Sequence, residues 1–146
     1  MRRALVLAST LLALGGCALE RGQQADVLVN DRLLEAHAEV RYGRVYADAL
    51  ALAEALGLRA VWIPDRPDRG LTLQQGSERF LHLHTGQNDC HVGGEEVRLD
   101  TPTLYVHPRT REPMAPVAFV VQVFGGRATF RAEGTNGRPE VDVTFP

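Results

Sequence analysis

The residues of this chain best suited to chemistry are three imidazoles and a thiol gathered in one short stretch, His82-Leu83-His84 and Cys90-His91. Residues i and i+2 of a strand point to one face, so His82 and His84 can reach a common ion, with His91 or Cys90 arriving across a hairpin. Imidazole together with thiolate suits zinc or copper. The same parity puts Phe80 beside the two imidazoles and leaves Leu81 and Leu83 on an aliphatic face. No ligand spacing here is diagnostic, and a solvent-facing strand surface is the simpler explanation. The sequence therefore assigns no metal and no cofactor. A small periplasmic metal-binding protein using His82, His84 and His91, with Cys90, stands as the alternative. Cys90 by itself reads as a small buried hydrophobe, the sharper readings being a metal ligand or an intermolecular disulfide.

Other reactive patterns fail. The only serines are Ser9, inside an N-terminal apolar run, and Ser77, in a Gly-Ser turn without the context of a nucleophile elbow. Asp65, Asp68, Glu95 and Glu96 fall in turns, where acids ordinarily face water. Gly93-Gly94 lacks the following helix of a phosphate loop. Trp62, flanked by Val61 and Ile63 in an alternating strand, reads as core, with stacking on a sugar as the alternative. No catalytic residue is assigned, and the chain is expected not to be an enzyme.

The elements that must position these residues can be read in order. Val27-Leu28-Val29 forms a strand, Asn30-Asp31 a tight turn and Leu33-Leu34 the return. A helix starts at Asp48, a good N-cap, with Ala49, Leu52, Ala53 and Leu56 on one face, and Gly57 stops it. A strand over 58–63 follows, then a turn over 64–70 and a hairpin of Leu71-Thr72-Leu73 with Phe80-Leu81-His82-Leu83. Cys90-His91-Val92, Gly93-Gly94 and Val97-Arg98-Leu99 read as the next hairpin. After Leu104-Tyr105-Val106 and a loop over 107–113, a second helix opens near Pro116, where a missing N–H costs least. Val141 to Phe145 is a closing strand.

This grammar is written twice. Val117, Val120, Val121 and Phe124 lie 68 residues after Ala49, Leu52, Ala53 and Leu56, one for one, and Gly57, Arg59 and Ala60 recur as Gly125, Arg127 and Ala128. Val29 instead matches Val92 at an offset of 63, so the second copy carries five extra residues, assigned to the loop over 107–113. The expected architecture is α+β, a tandem, pseudo-symmetric repeat of short antiparallel hairpins with one helix each. The repeats cover about 27–84 and 89–146.

Met1-Arg2-Arg3, an apolar run to Leu14 and small residues before Cys17 have the layout of a secretory signal, too short to span a membrane. Leu14-Gly15-Gly16-Cys17 resembles a bacterial lipobox, so residues 1–16 are expected to be a signal peptide, Cys17 the lipidated residue and 17–26 a tether. A plain secreted or soluble periplasmic form is the alternative. Removing Arg2 and Arg3 leaves 14 basic residues against 18 acidic, a net of −4. With no basic block, nucleic acid is not expected as a partner. About 120 exported residues suit one domain with a single core.

Val29-Asn30-Asp31-Arg32, Gly43-Arg44, Leu52-Ala53-Glu54-Ala55-Leu56-Gly57 and Val61-Trp62 resemble the repeat of the copper amine oxidase N-terminal-like (stalk) domain family. Met114, Pro116, Val117, Phe119, Val120 and Gly125 fit the same template, so the resemblance covers 27–145. Asp48 stands where that family has Pro, Leu50 and Ala118 where it has Arg, and Gln122 where it has Glu. The resemblance implies a non-catalytic accessory module of cell-surface or secreted proteins. The copper of the name belongs to a separate catalytic domain and implies no ligand here. The expected role is thus a non-catalytic cell-envelope scaffold, membrane-anchored through Cys17, that binds an envelope protein or a cell-wall glycan.

Overall fold

The computed structural model describes residues 22–63 and 70–146. The signal segment, Cys17, and the turn holding Asp65 and Asp68 lie outside the described residues. The class is α+β, with two short helices set among many short strands. The strands are β1 (Asp26–Val29), β2 (Arg32–Leu33), β3 (Ala38–Arg41), β4 (Arg44–Asp48), β5 (Arg59–Trp62), β6 (Leu71–Gln75), β7 (Arg79–Leu83) and β8 (Asp89–Val92). They continue as β9 (Glu95–Arg98), β10 (Tyr105–Val106), β11 (Pro113–Pro116), β12 (Arg127–Arg131) and β13 (Glu140–Thr144), with helices α1 (Ala49–Ala55) and α2 (Val117–Val123). Among the described residues the strands form three sheets, ordered β12-β13-β1-β2, β10-β11-β4-β3 and β5-β6-β7-β8-β9.

Local chemistry explains the turns. Asn30 and Asp31 take φ of 49° and 67°, the paired left-handed geometry of a tight hairpin that Asn and Asp tolerate best. The Asn30 side chain then holds both backbone groups of Phe145, donating to its carbonyl at 3.0 Å and accepting from its N–H at 2.9 Å. That clamp extends the parallel pairing of β1 with β13, which joins the two ends of the domain. Tyr42 and Gly43 repeat the turn between β3 and β4, with φ of 54° and 73°.

The helices stop as the sequence indicates. Gly57 (φ 68°) and Gly125 (φ 87°) each occupy the left-handed position after a cap. At each end two orphan carbonyls are satisfied: Leu58 N–H bonds Ala53 O and Gly57 N–H bonds Glu54 O, while Gly126 N–H bonds Val121 O and Gly125 N–H bonds Gln122 O. At the other end Asp48 accepts from Leu50 N–H at 3.0 Å. Pro116 sits one place before the helix, at φ −70° and without a side-chain capping bond, because a ring has no acceptor to offer.

One continuous core includes Val27, Leu52, Leu56, Leu71, Leu73, Leu81, Leu83, Phe119, Val120, Phe124 and Val143. Trp62 packs partly buried against it, the position expected from its strand. Tyr46, Tyr105 and Met114 form a smaller neighbouring cluster. The middle sheet joins β4 to β11, with Tyr46 facing Pro116, Ala47 facing Ala115 and Asp48 facing Met114.

Two expectations are corrected. Gly22 to Asp26 is not free tether: Gly22 N–H bonds Val40 O, Ala25 N–H bonds Ala38 O, and Val40 N–H returns to Gln23 O. Backbone groups that pair with β3 cannot also be solvated linker, so any tether ends before residue 22. The loop over 107–113 is also not longer by five residues than its counterpart turn: Val106 meets Pro113 across six residues where Val40 meets Val45 across four, a difference of two.

Candidate functional site

Two polar clusters stand out. The first is the histidine group on the outer face of the five-stranded sheet, where β6, β7 and β8 align Thr72, His82 and His91 directly across from one another. His82 Nδ1 lies 2.7 Å from Thr72 Oγ1, and His84 Nε2 lies 3.2 Å from His91 Nδ1. The rings meet edge-on, with centroids 4.7 Å apart for His82 and His84 and 5.4 Å for His84 and His91. Partial burial and the neighbouring imidazoles both lower the pKa of His82. Burial and His91 lower that of His84 as well, with Asp89 acting in the opposite direction. All three expected imidazoles are therefore brought together.

Cys90 is not with them. It pairs in register with Leu83 on the core face and is fully buried. Burial, then the nearby Asp89, pushes its thiol up to about 12, so the thiolate a metal needs is suppressed. Successive strand residues point to opposite faces, and that parity removes Cys90 from the ligand set proposed with His91. Ser77 stands exposed in the β6–β7 turn, beside an open groove with Arg79, Phe124 and Gly125 that no imidazole lines.

The second cluster is one the sequence reading missed. His37, Glu39 and His107 bring one ligand-type atom each within 4.8 Å of one another. Glu39 is buried on β3, and its Oε1 accepts a short hydrogen bond from the Tyr105 hydroxyl of β10. Arg41 Nε lies 3.4 Å from the same oxygen, His107 Nε2 3.8 Å from it, and His37 Nε2 3.5 Å from Oε2. The Arg41 guanidinium also stacks over the Tyr105 ring, 4.6 Å from its centre. Burial by itself raises the Glu39 pKa, but the Tyr105 hydroxyl, the Arg41 guanidinium and the nearby His107 and His37 rings outweigh it and hold the carboxyl below its ordinary value. Burial first, then the bond to Glu39, raises Tyr105 far above an ordinary phenol.

Proximity does not make this second group a metal site. His107 Nδ1 accepts from the backbone N–H groups of both Arg109 and Thr110, each at 3.2 Å. The ring proton must then sit on Nε2, 3.8 Å from Glu39 Oε1, so that nitrogen offers no lone pair to a cation. Arg41 already supplies the positive charge the carboxylate requires. The arrangement is a buried, satisfied carboxylate that ties β3 to β10 and to the loop after it. The one trace of it in the sequence is His37-x-Glu39, whose spacing of two shares a strand face.

Among the described residues no helix is long and apolar enough to cross a membrane. No curated protein and no solved structure matches the chain. A family model for the copper amine oxidase N-terminal domain does match, over residues 28–136, from within β1 to beyond β12 and across both polar clusters. A match over that share of the molecule, on a fold of hairpins and two short helices, places the chain in the copper amine oxidase N-terminal domain family.

Proposed function

We propose that the chain is a non-catalytic scaffold of the bacterial cell envelope, a lipoprotein whose domain binds an envelope protein or a cell-wall glycan. The observation that carries this reading is membership, over residues 28–136, in a family of non-catalytic accessory domains. The use of the side chains agrees with it. The apolar stripes of both helices are spent on one core, and in the buried polar cluster the Glu39 carboxylate is engaged by Tyr105 of the same domain. The signal-like start and the lipobox-like Leu14-Gly15-Gly16-Cys17 support export and anchoring.

In this reading the domain is two repeats, about 27–84 and 89–146, related by a local two-fold axis through the β4–β11 pair. Ala47 faces Ala115, its counterpart 68 residues on, and Tyr46 with Pro116 exchanges places with Met114 and Asp48. Such an exchange is what self-complementary pairing of two like units requires. The two matching helix stops support it as well. Strand β7 breaks the symmetry: β13 pairs directly with β1, whereas β7 lies between their counterparts β6 and β8.

The test is retention. Purified protein is mixed with isolated cell-wall sacculi, and in parallel cross-linked within intact cells. Retention on sacculi, or a discrete cross-linked envelope partner, is the expected result. No retention and no cross-link, together with turnover of any small substrate, would contradict a scaffold role.

A further inference from the structure

We propose that His82, His84 and His91 form a binding site for a divalent transition-metal ion of zinc type on the outer face of the five-stranded sheet. Two nitrogens bound to one tetrahedral zinc at about 2.0–2.1 Å each stand about 3.3 Å apart. His84 Nε2 and His91 Nδ1 are already 3.2 Å apart, so the ion replaces one N–H···N hydrogen bond without moving either strand. A single hydrogen bond would account for that pair, but not for a third imidazole in ring contact with it. His82 stands edge-on to His84 at 4.7 Å between ring centres and would join the ion only after its ring turns toward the His84–His91 pair. Its Nδ1 lies 2.7 Å from the Thr72 hydroxyl, which leaves Nε2 as the nitrogen to be offered to the ion.

Electrostatics favours the same assignment. Asp89, half-buried and paired with Arg98 at a long 3.7 Å, adds negative charge beside His84 and leaves the fourth position to water or its own carboxylate. The contrast with Glu39 is instructive, since there the ring proton occupies the nitrogen a metal would need. Three imidazole nitrogens with no thiolate, Cys90 lying on the opposite face, suit zinc.

Calorimetric titration of the metal-stripped protein with zinc alone, in a non-chelating buffer at neutral pH, tests the site, with native mass spectrometry reading the stoichiometry. One zinc per chain is expected. His84→Ala and His91→Ala should each weaken binding on the order of a hundred-fold, and His82→Ala about ten-fold, with unchanged melting of the zinc-free protein. His37→Ala should leave zinc affinity as it is. Absence of binding, wild-type affinity in both His84→Ala and His91→Ala, or loss of binding in His37→Ala would each overturn the proposal. None of these outcomes bears on retention by sacculi, so the site and the scaffold role fail separately.

Discussion

Gly70→Ala is expected to lower the free energy of unfolding by about 3–5 kcal/mol, read from urea transitions with an unchanged slope. A Cβ at this position would lie 1.7 Å from the carbonyl oxygen of Leu83. That oxygen belongs to the backbone at the end of β7, so it cannot swing away as a side-chain tip would. The left-handed φ of 61° adds a second penalty for any residue with a Cβ. Gly57→Ala separates the two effects. Its φ is 68°, but an added Cβ there meets nothing within 4 Å. Only the conformational term remains, about 1 kcal/mol. Equal losses at the two positions would show that the close approach of Gly70 to β7 is not real.

Glu39→Ala is expected to cost about 2–4 kcal/mol, because it strands the buried Tyr105 hydroxyl and leaves Arg41 and His107 without their carboxylate. Tyr105→Phe removes one donor only, and should cost about 1–2 kcal/mol. The two substitutions touch one hydrogen bond, so the double variant should lose less than their sum. The pH dependence has a definite sign. Glu39 titrates below 4.5 in the folded protein, so the unfolded chain takes up the proton first. Its contribution is fully present above about pH 4.5 and is lost as pH falls through the lower folded value. In Glu39→Gln this acid loss should flatten. A variant as acid-labile as the parent would assign the loss to other carboxylates.

Where neighbours along the chain decide a conformation, the sequence is a good guide. Asp48 and Gly57 bound α1, Gly125 ends α2, and Asn30-Asp31 and Gly93-Gly94 turn their hairpins, all through short-range backbone demands. Strand β3 escapes such a reading because Ala38-Glu39-Val40-Arg41 carries two charges in four residues and looks like a solvated lead-in. Its Glu39 is buried only because Tyr105, 66 residues away, arrives to satisfy it. The parallel pairing of β1 with β13 is equally invisible to periodicity, since it joins the two ends of the domain. The histidine face follows from strand parity alone. The exclusion of Cys90 needs the pairing of β7 with β8, which sets Cys90 opposite Leu83 and His91 opposite His82.

Fractionation of cells expressing the full chain tests the envelope assignment most directly, by comparing the parent with Cys17→Ala. The parent is expected in the membrane fraction, released by detergent and not by salt, and the variant in the soluble exported fraction with its domain intact. Equal membrane attachment of the two proteins, or retention of both inside the cell, would contradict an anchored envelope scaffold.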